Sequence, residues 1–136
     1  MIIADTSGLL AFFNRSEPLH GEVRQIVESI DDALIVSPYV VAELDYLIAT
    51  RIGLEAELTV LSELASGSYL LPALDGPELE MAVAVIPQYR DQNIGVADAS
   101  IVVLAERFQT RDILTLDRRH FGVLRPVSGG RFKLLP

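Results

Sequence analysis

Short apolar segments alternate with longer segments of helical spacing along the whole chain, and this alternation limits the possible folds most strongly. Four apolar segments have the length of buried strands, at residues 1–4, 33–36, 69–71 and 113–116, and residues 131–135 resemble an edge strand. Between them, apolar residues recur with the period of a helix. The pattern predicts an α/β domain with a mostly parallel central sheet of four or five short strands and helices on both faces.

Length and composition favour one soluble domain. The 136 residues are enough to bury a real core, so we predict a single domain over residues 1–136. Half of them are apolar, but no run approaches the roughly 18 apolar residues of a membrane span. Met1 leads directly into Ile2 and Ile3 without the basic and apolar parts of a signal peptide, so we expect a cytoplasmic protein without a membrane partner.

The charge is unevenly distributed along the chain. Residues 107–136 contain seven Arg or Lys and two Asp, a balance of +5, which leaves −13 of the net charge of −8 to residues 1–106. An acidic body with a basic carboxyl-terminal quarter fits a site that needs carboxylates beside a surface that contacts phosphates. Ordinary segregation of surface charge is the competing explanation.

One carboxylate lies inside an apolar helical pattern. Asp98 belongs to the segment 92–105, where Ile101, Val102 and Ala105 fall within roughly 60° of it on a helical wheel. A carboxylate on the core side costs several kcal/mol unless a cation or hydrogen-bond donors compensate it. Backbone N–H groups in the first helical turn after Gly95 are one source of compensation, and a bound cation is the other.

Other carboxylates occupy positions from which they can meet Asp98. Asp5 and Asp117 each follow a predicted strand, and open α/β sheets build their sites at the carboxyl ends of their strands. Glu43 borders the apolar face of the helix over residues 39–50, but Asp45 borders its opposite edge, so helical geometry leaves both open.

Several carboxylates at one site repel each other unless a cation lies among them, and an all-oxygen site suits Mg²⁺ or Mn²⁺. Such a cluster can lower the pKa of a bound water, orient a phosphodiester and neutralise an in-line transition state. With no cysteine in the chain and a single histidine nearby, His120, a soft-metal site is not predicted.

Four short motifs contain these acids: Asp5-Thr6-Ser7, Pro38 to Glu43, Gly95 to Ala99, and Leu114 to Asp117. Together they resemble the four motifs of PIN-domain ribonucleases, and specifically of the VapC toxins of bacterial toxin–antitoxin pairs, in the same order and over essentially the whole chain. The resemblance favours Glu43 over Asp45, because the family's acid follows a small residue, here Ala42. It implies that the catalytic, metal-binding acids are Asp5, Glu43, Asp98 and Asp117, and that the supporting hydroxyls are Thr6, Ser7 and Thr115.

The same resemblance implies a function. A VapC toxin cleaves RNA endonucleolytically with Mg²⁺, or Mn²⁺, through a metal-activated water, inhibits growth and is neutralised by a cognate VapB antitoxin. It implies a homodimer and structured substrates such as tRNA or rRNA. From the sequence itself, we predict that Arg118, Arg119 and Arg125 bind RNA phosphates beside Asp117, with residues 118–120 forming a basic turn.

Three alternatives compete with a nuclease. A phosphoacceptor receiver domain needs a lysine after a late strand, but the only lysine, Lys133, lies near the carboxyl terminus. A haloacid-dehalogenase-type phosphatase needs Asp-x-Asp after its first strand, and position 7 is Ser. Neither accounts for Asp98. A non-catalytic PIN-like module that binds RNA or protein is the third alternative; four intact acids argue against it, and a metal-dependent nuclease assay separates the two.

Overall fold

A parallel five-stranded sheet forms the centre of the protein, which a computed structural model describes over all 136 residues. The strands stand in the order β3-β2-β1-β4-β5 and every neighbouring pair is parallel. Their bounds are β1 Ile3–Ala4, β2 Leu34–Val36, β3 Tyr69–Leu70, β4 Asp112–Leu114 and β5 Lys133–Leu135. The predicted α/β class is confirmed, and residues 133–135 form an edge strand as expected.

Seven helices connect the strands. They are α1 Thr6–Phe13, α2 His20–Ser29, α3 Pro38–Arg51, α4 Leu54–Leu64, α5 Gly76–Val85, α6 Val96–Arg107 and α7 Arg118–Val123, with a 3₁₀ segment at Ile86–Gln92. Pro87 lies in that segment directly after α5, as expected of a residue that ends a helix. No helix combines the length and apolar character needed to cross a membrane.

The structure corrects two local predictions. Residues 118–120 are not an isolated turn but begin α7, because Asp117 caps that helix by accepting a hydrogen bond from the His120 amide at 2.9 Å and Phe121 anchors it in the core. The pair Glu17-Pro18 also predicts a second helix that starts there and runs to about Ile30, but the structure begins this helix at His20 and ends it at Ser29, since the residues before His20 form a turn.

The core lies between the sheet and the helices, with α6 as its most buried helix. Seven consecutive residues of α6, from Ala99 to Ala105, are buried, so this helix is covered on all sides rather than on one stripe. Asp98 directly precedes that buried run in the first turn. Asp98 therefore stands at the amino-terminal end of α6, where the helix emerges from the core, and this explains a carboxylate beside an apolar stretch of sequence.

Strand β1 is central and brings two predicted site residues together. It pairs with β4 in the register that joins Ala4 to Leu114, and the Asp5 amide donates to the Leu114 carbonyl at 2.9 Å. Asp5 and Thr115 therefore follow adjacent strands at the same edge of the sheet. Helix α1 crosses β4 so closely that a side chain at Gly8 would overlap the Leu114 carbonyl.

Replacing Gly8 by alanine tests this close crossing. The added methyl group must displace α1 from β4, so we expect Gly8→Ala to lower the free energy of unfolding by about 1–3 kcal/mol. Gly21→Ala is the matched control, because nothing lies within 4 Å of a methyl group there, and it should raise stability by up to about 1 kcal/mol. Urea denaturation of both variants measures the difference, and equal stabilities would contradict the close packing of α1 on β4.

Candidate active site

A groove of about 640 Å³ opens at the carboxyl edge of the sheet, and all four predicted acids line it. Each acid comes from a different part of the fold: Asp5 follows β1, Glu43 lies on α3, Asp98 on the first turn of α6, and Asp117 follows β4. Thr6 and Ser7 also line the groove, and Thr115 is buried behind it.

Asp5 is the most deeply buried of the four acids, with 5% of its surface exposed. Its Oδ2 accepts hydrogen bonds from the Ser7 hydroxyl at 2.7 Å and from the Thr115 hydroxyl at 2.9 Å, and a weaker one from the Ser7 amide at 3.4 Å. Burial raises the pKa of the Asp5 carboxyl, and the hydrogen bonds oppose that rise by favouring the charged form.

The two hydroxyls that hold Asp5 also hold the segment after β4. Each donates its one proton to Asp5, and each accepts a backbone N–H at 2.9 Å, Ser7 from Leu116 and Thr115 from Asp117. Asp5 and Asp117 are therefore fixed relative to each other. Thr6, the third predicted hydroxyl, is buried at the groove without a hydrogen-bond partner for its Oγ1.

The carboxyl group of Asp98 is also strongly perturbed. Burial contributes most to raising its pKa to about 6, and the charge of Asp5 contributes next, followed by smaller repulsions from Glu43 and Asp117. His120 acts in the opposite direction. The four acids thus interact electrostatically across one groove, as expected of a site that attracts a cation.

His120 lies between two of the acids. Its Nδ1 is 3.0 Å from Asp117 Oδ2 and 3.5 Å from Asp98 Oδ2. The sequence analysis did not assign His120 to the acid cluster, because it placed the residue in a turn. In α7 its i+3 spacing from Asp117 puts the two side chains on the same face, and that spacing was the available indication.

The donor chemistry of the groove fits a hard divalent cation, since its acids offer only oxygen ligands. No three acidic or histidine side chains surround a common point at ligand distances, because they are spaced along the groove with His120 between Asp98 and Asp117. The residues thus have the ligand type for Mg²⁺ or Mn²⁺ without a preformed coordination cage.

Comparison with known proteins agrees with this arrangement. The family model of the PIN domain matches residues 2–124. The chain belongs to the PIN-domain family. Over 135 residues, which are 99% of this chain and 100% of the relative, it is 57% identical to Ribonuclease VapC26 of Mycobacterium tuberculosis. The predicted membership among the VapC toxins is thereby confirmed.

Solved structures share the fold at low sequence identity. VapC20 of Mycobacterium tuberculosis, described as a toxin that cleaves the sarcin-ricin loop, aligns with a TM-score of 0.85 and 18% identity over 100% of both chains. DNA-bound VapBC of Salmonella typhimurium aligns with a TM-score of 0.73 and 16% identity over 98% of this chain and 96% of that one.

Within this PIN domain, Glu43 and Asp45 have different surroundings. Glu43 is exposed and lines the groove, whereas Asp45 does not line it. Asp45 instead faces α4, where its proximity to Glu57 raises the pKa of the Glu57 carboxyl. The geometry therefore places the acid favoured by the family resemblance at the groove.

A buried pair of serines joins the Glu43 helix to the Asp98 helix. The Ser37 hydroxyl, which caps α3, lies 2.6 Å from the Ser100 hydroxyl, and Ser100 donates to the Ala97 carbonyl of α6. The sequence analysis missed this pair, because nothing in the sequence links two serines that are 63 positions apart.

The three arginines predicted to bind RNA lie outside the groove. Arg118 donates to the Pro136 carbonyl at 2.7 Å, Arg125 donates to the Gly122 and Leu124 carbonyls, and Arg119 is exposed. The arginine that lines the groove is Arg51, which the sequence analysis did not consider. It lies two helical turns beyond Glu43 on the same helix, and that spacing was the only indication in the sequence.

Removing the Asp98 charge should stabilise the metal-free protein at neutral pH. Because the folded pKa of Asp98 is raised to about 6 from 3.8, ionisation opposes folding above that range and has no effect below it. We expect Asp98→Asn to add about 1–2 kcal/mol at pH 7.5, less than the full shift because the carboxylate is partly solvated. The gain should disappear as pH falls below the unfolded pKa.

Thermal denaturation in EDTA from pH 3.5 to 8 measures this effect, and the matched control is Asp91→Asn, which replaces an exposed acid that does not line the groove. The control should not reproduce the pH-dependent gain. A loss of stability in Asp98→Asn at pH 7.5 would contradict repulsion among the acids.

Proposed function

We propose that this PIN domain is the endoribonuclease toxin of a VapBC pair, that it cuts RNA with Mg²⁺ or Mn²⁺, and that a VapB antitoxin neutralises it. The observation that carries the proposal is the convergence of four carboxylates from four separate elements on one groove. The close relationship to a protein named Ribonuclease VapC26 supports RNA as the substrate. We further propose that the chain acts in the cytoplasm, on structured RNA such as tRNA or rRNA.

Asp5, Glu43, Asp98 and Asp117 would hold the cation. When bound, a divalent cation in such a site activates water and neutralises charge that develops on the phosphodiester. The chain's own contribution is to hold the four carboxylates in place at a groove that is partly shielded from solvent. Asp5 cannot swing away from the groove, since Ser7 and Thr115 both hold its Oδ2.

His120 has a separate part in the proposal. Its Nδ1 lies close to one carboxylate oxygen of Asp117 and one of Asp98, and it opposes the rise in the pKa of Asp98 that the other acids cause. Phosphate binding by Arg118, Arg119 and Arg125 stays a prediction, supported by the positive balance of residues 107–136. Two of the three already bond to backbone carbonyls, so RNA would have to compete for Arg118 and Arg125.

A second groove supports the proposed antitoxin partner. It has a volume of about 370 Å³ between α1, α2 and α4, and Phe12 and Phe13 contribute its apolar surface. The other residues that line it are polar or charged, so a partner helix would need an apolar side chain to contact the two phenylalanines and polar side chains beside it. An Arg or Lys from the same partner would be attracted to the acids and would displace the cation. We also propose a homodimer, for which the exposed Leu79, Met81 and Val83 of α5 supply apolar surface.

Loss of a single acid should abolish cleavage. We expect Asp5→Asn and Asp98→Asn to lower the rate of RNA cleavage in Mg²⁺ by more than about a hundredfold. Residues that only hydrogen-bond to a metal ligand typically change metal affinity or activity by about 10- to 100-fold when they are replaced, and loss of a ligand itself should cost more. Ser7→Ala and Thr115→Ala, which remove such orienting hydroxyls, should fall within that smaller range. Cleavage of total RNA by the purified chain, with end sequencing of the products, measures these effects and identifies the substrate.

Glu43→Gln and Asp45→Asn form the matched pair, because the two acids lie on the same helix and only Glu43 lines the groove. Glu43→Gln should lose cleavage and Asp45→Asn should retain it. Circular dichroism confirms that each variant is folded. A wild-type chain that binds RNA and never cleaves it, with either cation, would leave the non-catalytic binding module as the function.

A further inference from the structure

One face of α3 lines the active-site groove along the whole length of the helix. Tyr39, Glu43, Leu47 and Arg51 follow one another at intervals of four residues, so each side chain is turned by only about 40° from the one before it, and all four line the groove. The groove therefore continues past the acids for two further helical turns. No acid lies on this α3 face beyond Glu43.

Arg51 is the only Arg or Lys that lines the groove. It is exposed, and no salt bridge of the chain involves it, although four carboxylates line the same groove. Arg51 lies in the last turn of α3, where the helix dipole favours a positive charge. That dipole does not explain why the guanidinium lines the groove, because any exposed direction at the end of the helix would serve. An unpaired guanidinium in an otherwise acidic groove is available to an anionic ligand.

The separation between Glu43 and Arg51 has the scale of a short stretch of RNA. Eight residues of helix rise by about 12 Å. At about 3.4 Å per nucleotide in a stacked strand, and more in an extended one, this corresponds to roughly two to four nucleotides. Leu47 lies between the two residues and offers an apolar surface to a ribose or a base.

We propose that Arg51 binds a backbone phosphate of the substrate RNA two to four nucleotides from the phosphodiester that is cut, which makes the α3 end of the groove a substrate subsite. The inference rests on the proposed ribonuclease function and extends it to a residue outside the acid cluster. A guanidinium binds phosphate with two parallel hydrogen bonds, so arginine suits this contact better than lysine. An acidic segment of an antitoxin is the competing ligand.

The test measures RNA binding by fluorescence anisotropy in the Asp98→Asn background, where cleavage is expected to be blocked. The probe is a fluorescein-labelled oligouridylate of about 12 nucleotides, which is long enough to pass through the groove. It serves for an RNA of any sequence because phosphate contacts are sequence-independent. Arg51→Ala and Arg51→Lys are compared with Arg24→Ala, which removes an exposed arginine of α2 that does not line this groove.

We expect Arg51→Ala to weaken binding by about three- to tenfold and to lower the slope of log K against log salt by about 0.7, the value for one single-strand phosphate contact. Arg51→Lys should retain the slope and recover part of the affinity, which a purely structural role would not produce. Arg24→Ala should change neither quantity.

Equal RNA affinity and equal salt slope in all variants would overturn the inference and leave the proposed function intact. An effect of Arg51→Ala that appears only in a complex with the antitoxin would have the same meaning. If the Asp98→Asn chain binds no RNA and the wild-type chain cleaves none, both the inference and the proposed function are contradicted.

Discussion

The buried carboxylate of Asp5 is the interaction on which the rest of the site depends. It ends the central strand, caps α1 and receives two hydroxyl protons, one from α1 and one from the segment after β4. Because the same hydroxyls accept the amides of Leu116 and Asp117, this network sets the position of the next acid as well. The close crossing of α1 and β4 at Gly8 keeps the network short. The charge of Asp5 is therefore also a structural link between two strands.

The fold tolerates its concentrated negative charge by placing three of the four acids at helix amino termini. Asp5 and Asp117 accept backbone N–H groups as caps, and Asp98 lies in the first turn of α6. Helix dipoles and hydrogen bonds stabilise the carboxylates there, while Glu43 on the flank of α3 remains in contact with solvent. The raised pKa of Asp98 indicates that this compensation is incomplete. A loss of stability is therefore the expected consequence of gathering four carboxylates at one groove.

Much of this arrangement was predictable, because local patterns determine it. The alternation of strands and helices predicted the parallel sheet, and acids after strands indicated one edge of it. Helical periodicity alone left Glu43 and Asp45 equivalent, because the two acids differ only in their tertiary surroundings. Glu43 lines the groove, whereas Asp45 faces α4. His120 was missed because it was placed in a turn, where its spacing of three residues from Asp117 indicates no contact. The Ser37–Ser100 pair was missed because it joins two distant segments of the chain. Arg51 was missed although its spacing from Glu43 was visible, because the sequence does not reveal where a groove ends.

The measurement that tests the central claim most directly is calorimetric titration of Mn²⁺ into the RNA-free chain, since it separates cation binding from catalysis. If the acids form one cation site, the wild-type chain and Asp45→Asn bind Mn²⁺ saturably, and Asp5→Asn, Glu43→Gln and Asp98→Asn each bind it at least about tenfold more weakly. Binding that is equally strong in all of these folded variants would contradict the claim that the four carboxylates act together on one ion.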